Sequence, residues 1–344
     1  MTRVLLTGGS GFIAAHILDI LLRRGYSVRI TVRSKDKAQK LLDAHSEYQG
    51  KLDYVIVPDI AEPHCFDKAV KSDPPFDAIL HTASPFSYGV TNPIKELVEP
   101  AIQGTISILQ ATKKYAPGVK RIIITSSFAA IADATRGNNP GKVYSEDDWN
   151  PVLREEGLSD IFNAYRVSKK FAEKEAWDFV ENENPNFSIV TINPPLVVGP
   201  PKTYVSSLDG LNPSNQRTLN FIRGKFKDKL PHSGVFLWAD VRDVAEAHVI
   251  ALEKEAAGGK RFFVSSETNF SNQMIADIIK KEFPQYATRL PEEREPNNGL
   301  PEEGCYAANN TRSKEVLGMT YRKLNESIVD LVKALQEMGL DVCA

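Results

Sequence analysis

Between residues 4 and 192, short apolar runs alternate with stretches of helical periodicity, and few folds accept that rhythm. Val4–Thr7, Ser27–Val32, Tyr54–Val57, Ala78–His81, Arg121–Thr125 and Ser188–Ile192 read as strands. Ile13–Arg24, Ala38–Leu42, Ile94–Tyr115 and Asn163–Val180 read as helices between them; Ile13, Ile17, Leu18, Leu21 and Leu22 give the first its apolar stripe, and Gly25 stops it. The run Arg121-Ile122-Ile123-Ile124-Thr125 is continuous rather than alternating, as expected of a strand covered on both faces. The pattern predicts an α/β fold, a doubly wound parallel sheet.

The first strand enters Thr7-Gly8-Gly9-Ser10-Gly11-Phe12-Ile13-Ala14 and then the first helix. Gly8 permits a tight turn off the strand, and Gly11 lets backbone N–H groups approach a pyrophosphate with no side chain between. The positive end of the following helix then faces the phosphates. A plain strand–helix junction also uses glycine. Opening a βαβ unit, however, this turn is where a Rossmann-type dinucleotide-binding domain carries its fingerprint. The third small position is Ala14, so the spacing differs from Gly-x-Gly-x-x-Gly.

The end of the second strand discriminates between the two nicotinamide cofactors. NAD sites place a carboxylate there to accept from the ribose 2′-hydroxyl. This chain has Arg33-Ser34-Lys35-Asp36-Lys37, in which Arg33 and Lys37 suit a 2′-phosphate and Arg33 suits stacking on adenine. NADPH is the expected cofactor. Asp59-Ile60, beyond the third strand, falls where an adenine contact would lie.

After Asn193 the rhythm breaks. Pro, Gly, Ser and Asn cluster between Pro194 and Pro213, followed by helical patterns at Gln216–Arg223, Val241–Leu252, Asn272–Glu282, Thr311–Leu317 and Leu324–Met338. Arg261–Val264 reads as a further strand and 291–303 as a surface loop. At 344 residues the chain exceeds one ordinary domain. The expected division is a dinucleotide-binding domain over 1–194 plus about 236–262, and a smaller α+β substrate lobe over about 195–235 plus 263–344. A formal net charge of −2 and scattered basic residues argue against a nucleic-acid or anionic-lipid partner. No apolar run reaches a membrane span, and Cys65, Cys305 and Cys343 lack metal-site or disulfide spacing, so no metal is expected. The first strand starts at once, leaving no signal segment, and a cytosolic location is expected. Oligomeric state, monomer or homodimer, is open.

Of eleven tyrosines, only Tyr165 has a lysine four residues on, Lys169. That spacing stacks both side chains on one helix face, where an ammonium favours phenolate and makes tyrosine a usable acid. Ser126-Ser127 closes the buried fifth strand, at the edge where open α/β sheets bind ligands. A serine there can hold a substrate carbonyl while the tyrosine protonates it, although a serine pair after a strand also serves as a cap or turn.

The glycine turn, the serine pair, Tyr165-x-x-x-Lys169 and Asp240-Val241-Arg242-Asp243-Val244-Ala245 together resemble the extended short-chain dehydrogenase/reductases over nearly the whole chain. His81-Thr82-Ala83-Ser84-Pro85-Phe86, Ser168–Lys174 and Asn193-Pro194 bring it near the dihydroflavonol-reductase-like branch and its NADPH-dependent methylglyoxal (isovaleraldehyde) reductases. The resemblance implies an NADPH-dependent reductase of aldehydes and ketones, with Ser127, Tyr165 and Lys169 catalytic. It implies cofactor contacts by Gly8, Gly9, Ser10, Gly11, Phe12, Ile13, Arg33, Lys37, Asp59, Ile60, Ala83, Tyr165, Lys169, Pro194, Val197 and Ser214. Phe86, Phe128, Tyr204, Phe236 and Trp238 are candidate pocket walls. The pocket residues of plant dihydroflavonol and cinnamoyl-CoA reductases are not recognisable, so a flavonoid or CoA ester is not expected. Two rivals remain: a nucleotide-sugar epimerase or dehydratase retaining NAD, which Arg33 disfavours, and a non-catalytic NADPH sensor, which would not need Tyr165.

Overall fold

A computed structural model describes residues 2–84, 91–158, 160–204 and 207–340. Its main sheet is built from β1 (Arg3–Thr7), β2 (Ser27–Val32), β3 (Leu52–Ile56), β4 (Ala78–His81), β5 (Arg121–Thr125), β7 (Ser188–Asn193) and β10 (Lys260–Phe263). All pairings are parallel and the order is β10-β7-β5-β4-β1-β2-β3, the doubly wound arrangement expected from the rhythm. Two short ladders lie outside it: β6 (Val143–Tyr144) with β11 (Ala307–Ala308), and β8 (Leu196–Val198) with β9 (Trp238–Asp240). The strand at 196–198 stands where the sequence predicts loop, because three apolar residues after two prolines give no period to read.

The helices are α1 (Phe12–Arg23), α2 (Lys35–Ala44), α3 (Glu99–Tyr115), α4 (Ile161–Glu183), α5 (Pro213–Ile222), α6 (Val241–Glu253), α7 (Asn272–Glu282) and α8 (Leu324–Glu337). Two begin earlier than their apolar stripes. Ser34 caps α2 by accepting from Lys37 N–H, and Asp160 caps α4 by accepting from Phe162 and Asn163 N–H at 2.7 and 2.9 Å. Helix α1 is buried well beyond its stripe, from Ala14 to Leu22 except Asp19, because α6 packs against it as well as the sheet.

Burying both faces of the sheet divides the apolar residues into two layers. One joins Val4, Leu6, α1 and α6; the other joins Leu5, Ile79, Ile122 and α3. A separate core holds α5, α7 and α8 around Trp238 and Phe270. Leu317 and Met319 pack with the sheet core although they fall in the range expected for the second lobe.

Candidate active site

The strand order reverses between β1 and β4, the switch point where open α/β sheets bind ligands. Thr7 joins the two strands there. Its Oγ1 lies 2.9 Å from His81 Nδ1 and accepts from Thr82 and Ala83 N–H at 3.2 Å, while Thr82 Oγ1 donates to Thr7 O at 2.6 Å. Burial pushes His81 down to about 3, so its imidazole is neutral.

The glycine turn sits on this junction. Gly8 has φ +70° and lies against Ala83, which a Cβ would meet at 3.1 Å. Gly9 is tighter, since a Cβ there would stand 2.7 Å from Ile30 Cβ. The sequence argument asked for glycine at 8 and 11; packing against β2 adds position 9. Gly11 precedes α1 in extended conformation with no side-chain cap, which leaves the first-turn N–H groups of Phe12 and Ile13 directed outward beside Ser10. At the end of β2, Arg33 and Lys37 are exposed, with no ion-pair partner among the described residues. A glycine cradle, an uncapped helix N-terminus and two unpaired cations fit the diphosphate and 2′-phosphate of NADPH.

The other expected cofactor residues are more scattered. Asp59 is exposed and accepts from Ala61 N–H at 2.8 Å, and Ile60 packs on Gly104 of α3. Ala83 lies on the switch point, and Pro194 O accepts from Phe128 N–H at 2.9 Å beside Ser127. Val197 is buried in the sheet core, and Ser214 is in the first turn of α5.

Helix α4 presents Tyr165 and Lys169 one turn apart, opposite the exit of β5. Tyr165 Oη donates to Ser127 Oγ at 3.5 Å. Lys169 Nζ lies 5.8 Å from the Tyr165 ring centre and donates to Ser84 Oγ at 3.1 Å. Burial lowers Lys169 to about 8, against the opposing charge of Glu173. Ser84 lies within the motif His81–Phe86, and its signal in the sequence is position, the exit of β4 at the binding edge.

Sequence reasoning also missed a buried hub behind the site. Glu173, a further turn along α4, is 1% exposed. Its Oε2 accepts from Ser126 Oγ at 2.5 Å and Asn193 Nδ2 at 2.7 Å; its Oε1 accepts from Arg261 Nε at 2.6 Å, Thr191 Oγ1 at 2.9 Å and Trp177 Nε1 at 3.3 Å. The i+4 spacing from Lys169 was visible; the polar partners on three strands were not.

The aromatic pocket candidates need correction. Trp238 is fully buried in the α5–α7–α8 core. Tyr204 donates to Asp19 on the flank of α1 at 2.7 Å and packs edge-on against His45, so its side chain is tied to the outer face of the first lobe. Phe128 and Phe236 belong to a buried aromatic cluster with Tyr144, Phe263 and Tyr306, in which Phe128 stacks on Phe263 at 5.1 Å. That cluster packs beneath the Ser127 turn, which Phe128 directly follows. Phe86 lies outside the described residues.

Comparison with known proteins decides the family. The model of the NAD dependent epimerase/dehydratase family matches residues 4–264. The chain belongs to this family of extended short-chain dehydrogenase/reductases. A ketoreductase of Aspergillus niger (azaE) is 46% identical over 98% of each chain. The NADPH-dependent methylglyoxal reductase GRE2 of Saccharomyces cerevisiae is 37% identical over 95% of this chain and 96% of its own. Among solved structures of the family, Gre2 of Candida albicans in complex with NADPH superposes with TM-score 0.92 at 36% identity, covering 98% of this chain and 99% of that one.

Proposed function

We propose that this chain reduces aldehydes and ketones to alcohols at the C-terminal edge of its sheet, with Ser127, Tyr165 and Lys169 as the proton-transfer set. Its class, NADPH-dependent carbonyl reductase, rests on full-length similarity to ketoreductase and methylglyoxal reductase relatives and on a fold shared with an NADPH complex. Gly8–Ile13, Arg33 and Lys37 hold the cofactor, which when bound supplies the hydride.

The observation that carries the reading is the 3.5 Å between the Tyr165 and Ser127 hydroxyls. Two donors at that separation can both reach one acceptor at about 2.8 Å. A carbonyl oxygen seated between them is oriented by Ser127 and takes its proton from Tyr165, while hydride adds to the carbonyl carbon. The Lys169 ammonium stabilises the phenolate that remains. Small aldehydes such as methylglyoxal and isovaleraldehyde, and prochiral ketones, are the proposed substrates, and the cytosol the proposed compartment. Among the described residues no helix is long and apolar enough to cross a membrane.

The test is NADPH oxidation followed by absorbance with methylglyoxal, isovaleraldehyde, a bulky aromatic ketone and a β-ketoester, each repeated with NADH. Turnover with NADPH well above that with NADH is expected. Silence across the panel in protein that binds NADPH would overturn the reading.

A further inference from the structure

We propose that Glu173 is a positioning residue for the reduction: from one turn behind Lys169, its carboxylate fixes the β5 exit that carries Ser127 and faces Lys169 across a shared cavity. The inference rests on the assignment of Tyr165 and Lys169 above.

Three observations support it. First, Glu173 is buried yet accepts from donors on four elements, namely Ser126 after β5, Thr191 and Asn193 on β7, Arg261 on β10 and Trp177 on α4. A carboxylate accepts through both oxygens, and here the two share five polar partners. Second, the grip reaches the catalytic serine. Asn193 Nδ2, held by Glu173, also donates to Ser127 O at 3.4 Å, and Ser126 N–H donates to Ile192 O at 2.8 Å. The Ser126 amide and the Ser127 carbonyl are thereby held against β7, which Glu173 links to α4, the helix that carries Tyr165. A helix-to-strand shift of a few tenths of an ångström would otherwise change the Tyr165–Ser127 separation directly.

Third, Lys169 and Glu173 line one small cavity of about 20 Å³ together with Ser84, Thr105, Thr125 and Ser126. That volume admits a single water with several polar partners. The two charges therefore face one shared space, whose walls Ala83, Ala101, Ile124 and Ala172 complete. His81 reaches the cavity from β4 as a neutral ring, Thr105 from α3 and Thr125 and Ser126 from the β5 exit are uncharged, and Tyr165 flanks Lys169 on α4. Glu173 is the one carboxylate lining the cavity among the described residues. Burial drives Lys169 towards its neutral form and Glu173 opposes that drive.

The consequence is a split between charge and shape. Carbonyl reduction needs Lys169 protonated, so activity falls on the alkaline side as its proton is lost, and removing the Glu173 charge moves that fall to lower pH. The experiment is the pH profile of kcat for isovaleraldehyde reduction in wild type, Glu173→Gln and Glu173→Asp, with the NADPH Kd measured alongside by fluorescence. Glu173→Gln is expected to lower kcat by about ten-fold or more and move the alkaline midpoint down by about one pH unit, with Kd within about three-fold. Glu173→Asp, which keeps the charge, is expected to hold the wild-type midpoint whatever its kcat.

Ser126→Ala cuts the grip without touching the charge; it is expected to lower kcat several-fold at an unmoved midpoint. Because Glu173→Gln leaves Arg261 buried without its counter-charge, it risks misfolding. The double variant Glu173→Gln/Arg261→Gln removes both charges and carries the same expected shift. A folded variant of either kind with an unmoved midpoint, or with kcat within two-fold of wild type, overturns the proposal. Failure of the underlying assignment reads differently: Tyr165→Phe would then retain turnover, independently of any Glu173 variant.

Discussion

In the proposed reaction the chemistry turns on one proton of Tyr165, whose hydroxyl oxygen lies 3.5 Å from that of Ser127, with Lys169 beside the ring. Removing only that hydroxyl, as in Tyr165→Phe, leaves the glycine turn and the basic pair intact. The expected outcome is NADPH binding close to wild type with turnover down by about a hundred- to ten-thousand-fold, the usual range for a lost general acid. At the other end of the proposed cofactor site, Arg33→Ser removes a charged donor suited to a 2′-phosphate. Its loss is expected to raise KM for NADPH by about ten-fold or more and to leave KM for NADH nearly unchanged. Steady-state kinetics with both cofactors checks this, and equal effects on the two would break the 2′-phosphate assignment. Gly9 answers to sterics alone. A Cβ 2.7 Å from Ile30 Cβ forces β2 or the turn to move, so Gly9→Ala is expected to cost about 1–3 kcal/mol in urea unfolding and to weaken NADPH binding with it.

Among the elements, α4 matters most, because one helix carries Tyr165, Lys169 and Glu173 on successive turns of one face. Its start depends on Asp160, whose carboxylate accepts two first-turn N–H groups five residues before Tyr165. Asp160→Ala is expected to lose roughly 1 kcal/mol, read by thermal melting, and to lower kcat several-fold with KM for NADPH hardly changed. A full kcat in a destabilised variant would mean that Tyr165 is held by its packing and not by the helix start. The β5 exit is the counterpart element. Thr125 donates to His248 Nε2 at 2.7 Å, a role fixed by His248 Nδ1–H donating to the Val244 carbonyl, and the exit is thereby tied to α6 behind the sheet.

Over the whole molecule, three histidines are folded away as neutral rings. Burial holds His16 and His248 at about 4 and His81 at about 3, each below the ordinary value. Unfolding lets them take up protons, so their contribution to stability is present above the ordinary histidine pKa and is lost as pH falls through about 6 to 4. Asp243, raised to about 6 mainly by burial, and Glu146, also raised by burial, act in the opposite sense, two carboxyls against three rings. His45 bonds the Asp19 carboxylate and is raised, so its contribution changes only above the ordinary histidine pKa. The expected net outcome is a lower urea midpoint near pH 5 than near pH 7. An unchanged midpoint would mean that the buried rings titrate normally in the folded state.

The local sequence determined the strand–helix alternation, the glycine turn and the i+4 pair of Tyr165 and Lys169. Each depends on neighbours close along the chain, on period, φ or helical rise, and each is therefore legible one segment at a time. The short β8–β9 ladder was not legible, because three residues acquire a strand only from a partner forty positions away. The placement of the aromatic candidates was not legible for the same reason: whether Trp238 or Tyr204 meets a substrate, a core or Asp19 depends on which elements the fold brings together. Glu173 carries the contrast furthest. Its spacing from Lys169 lies in the sequence, but its meaning comes from donors on three strands whose order in the sheet, β5-β7-β10, only the tertiary structure decides.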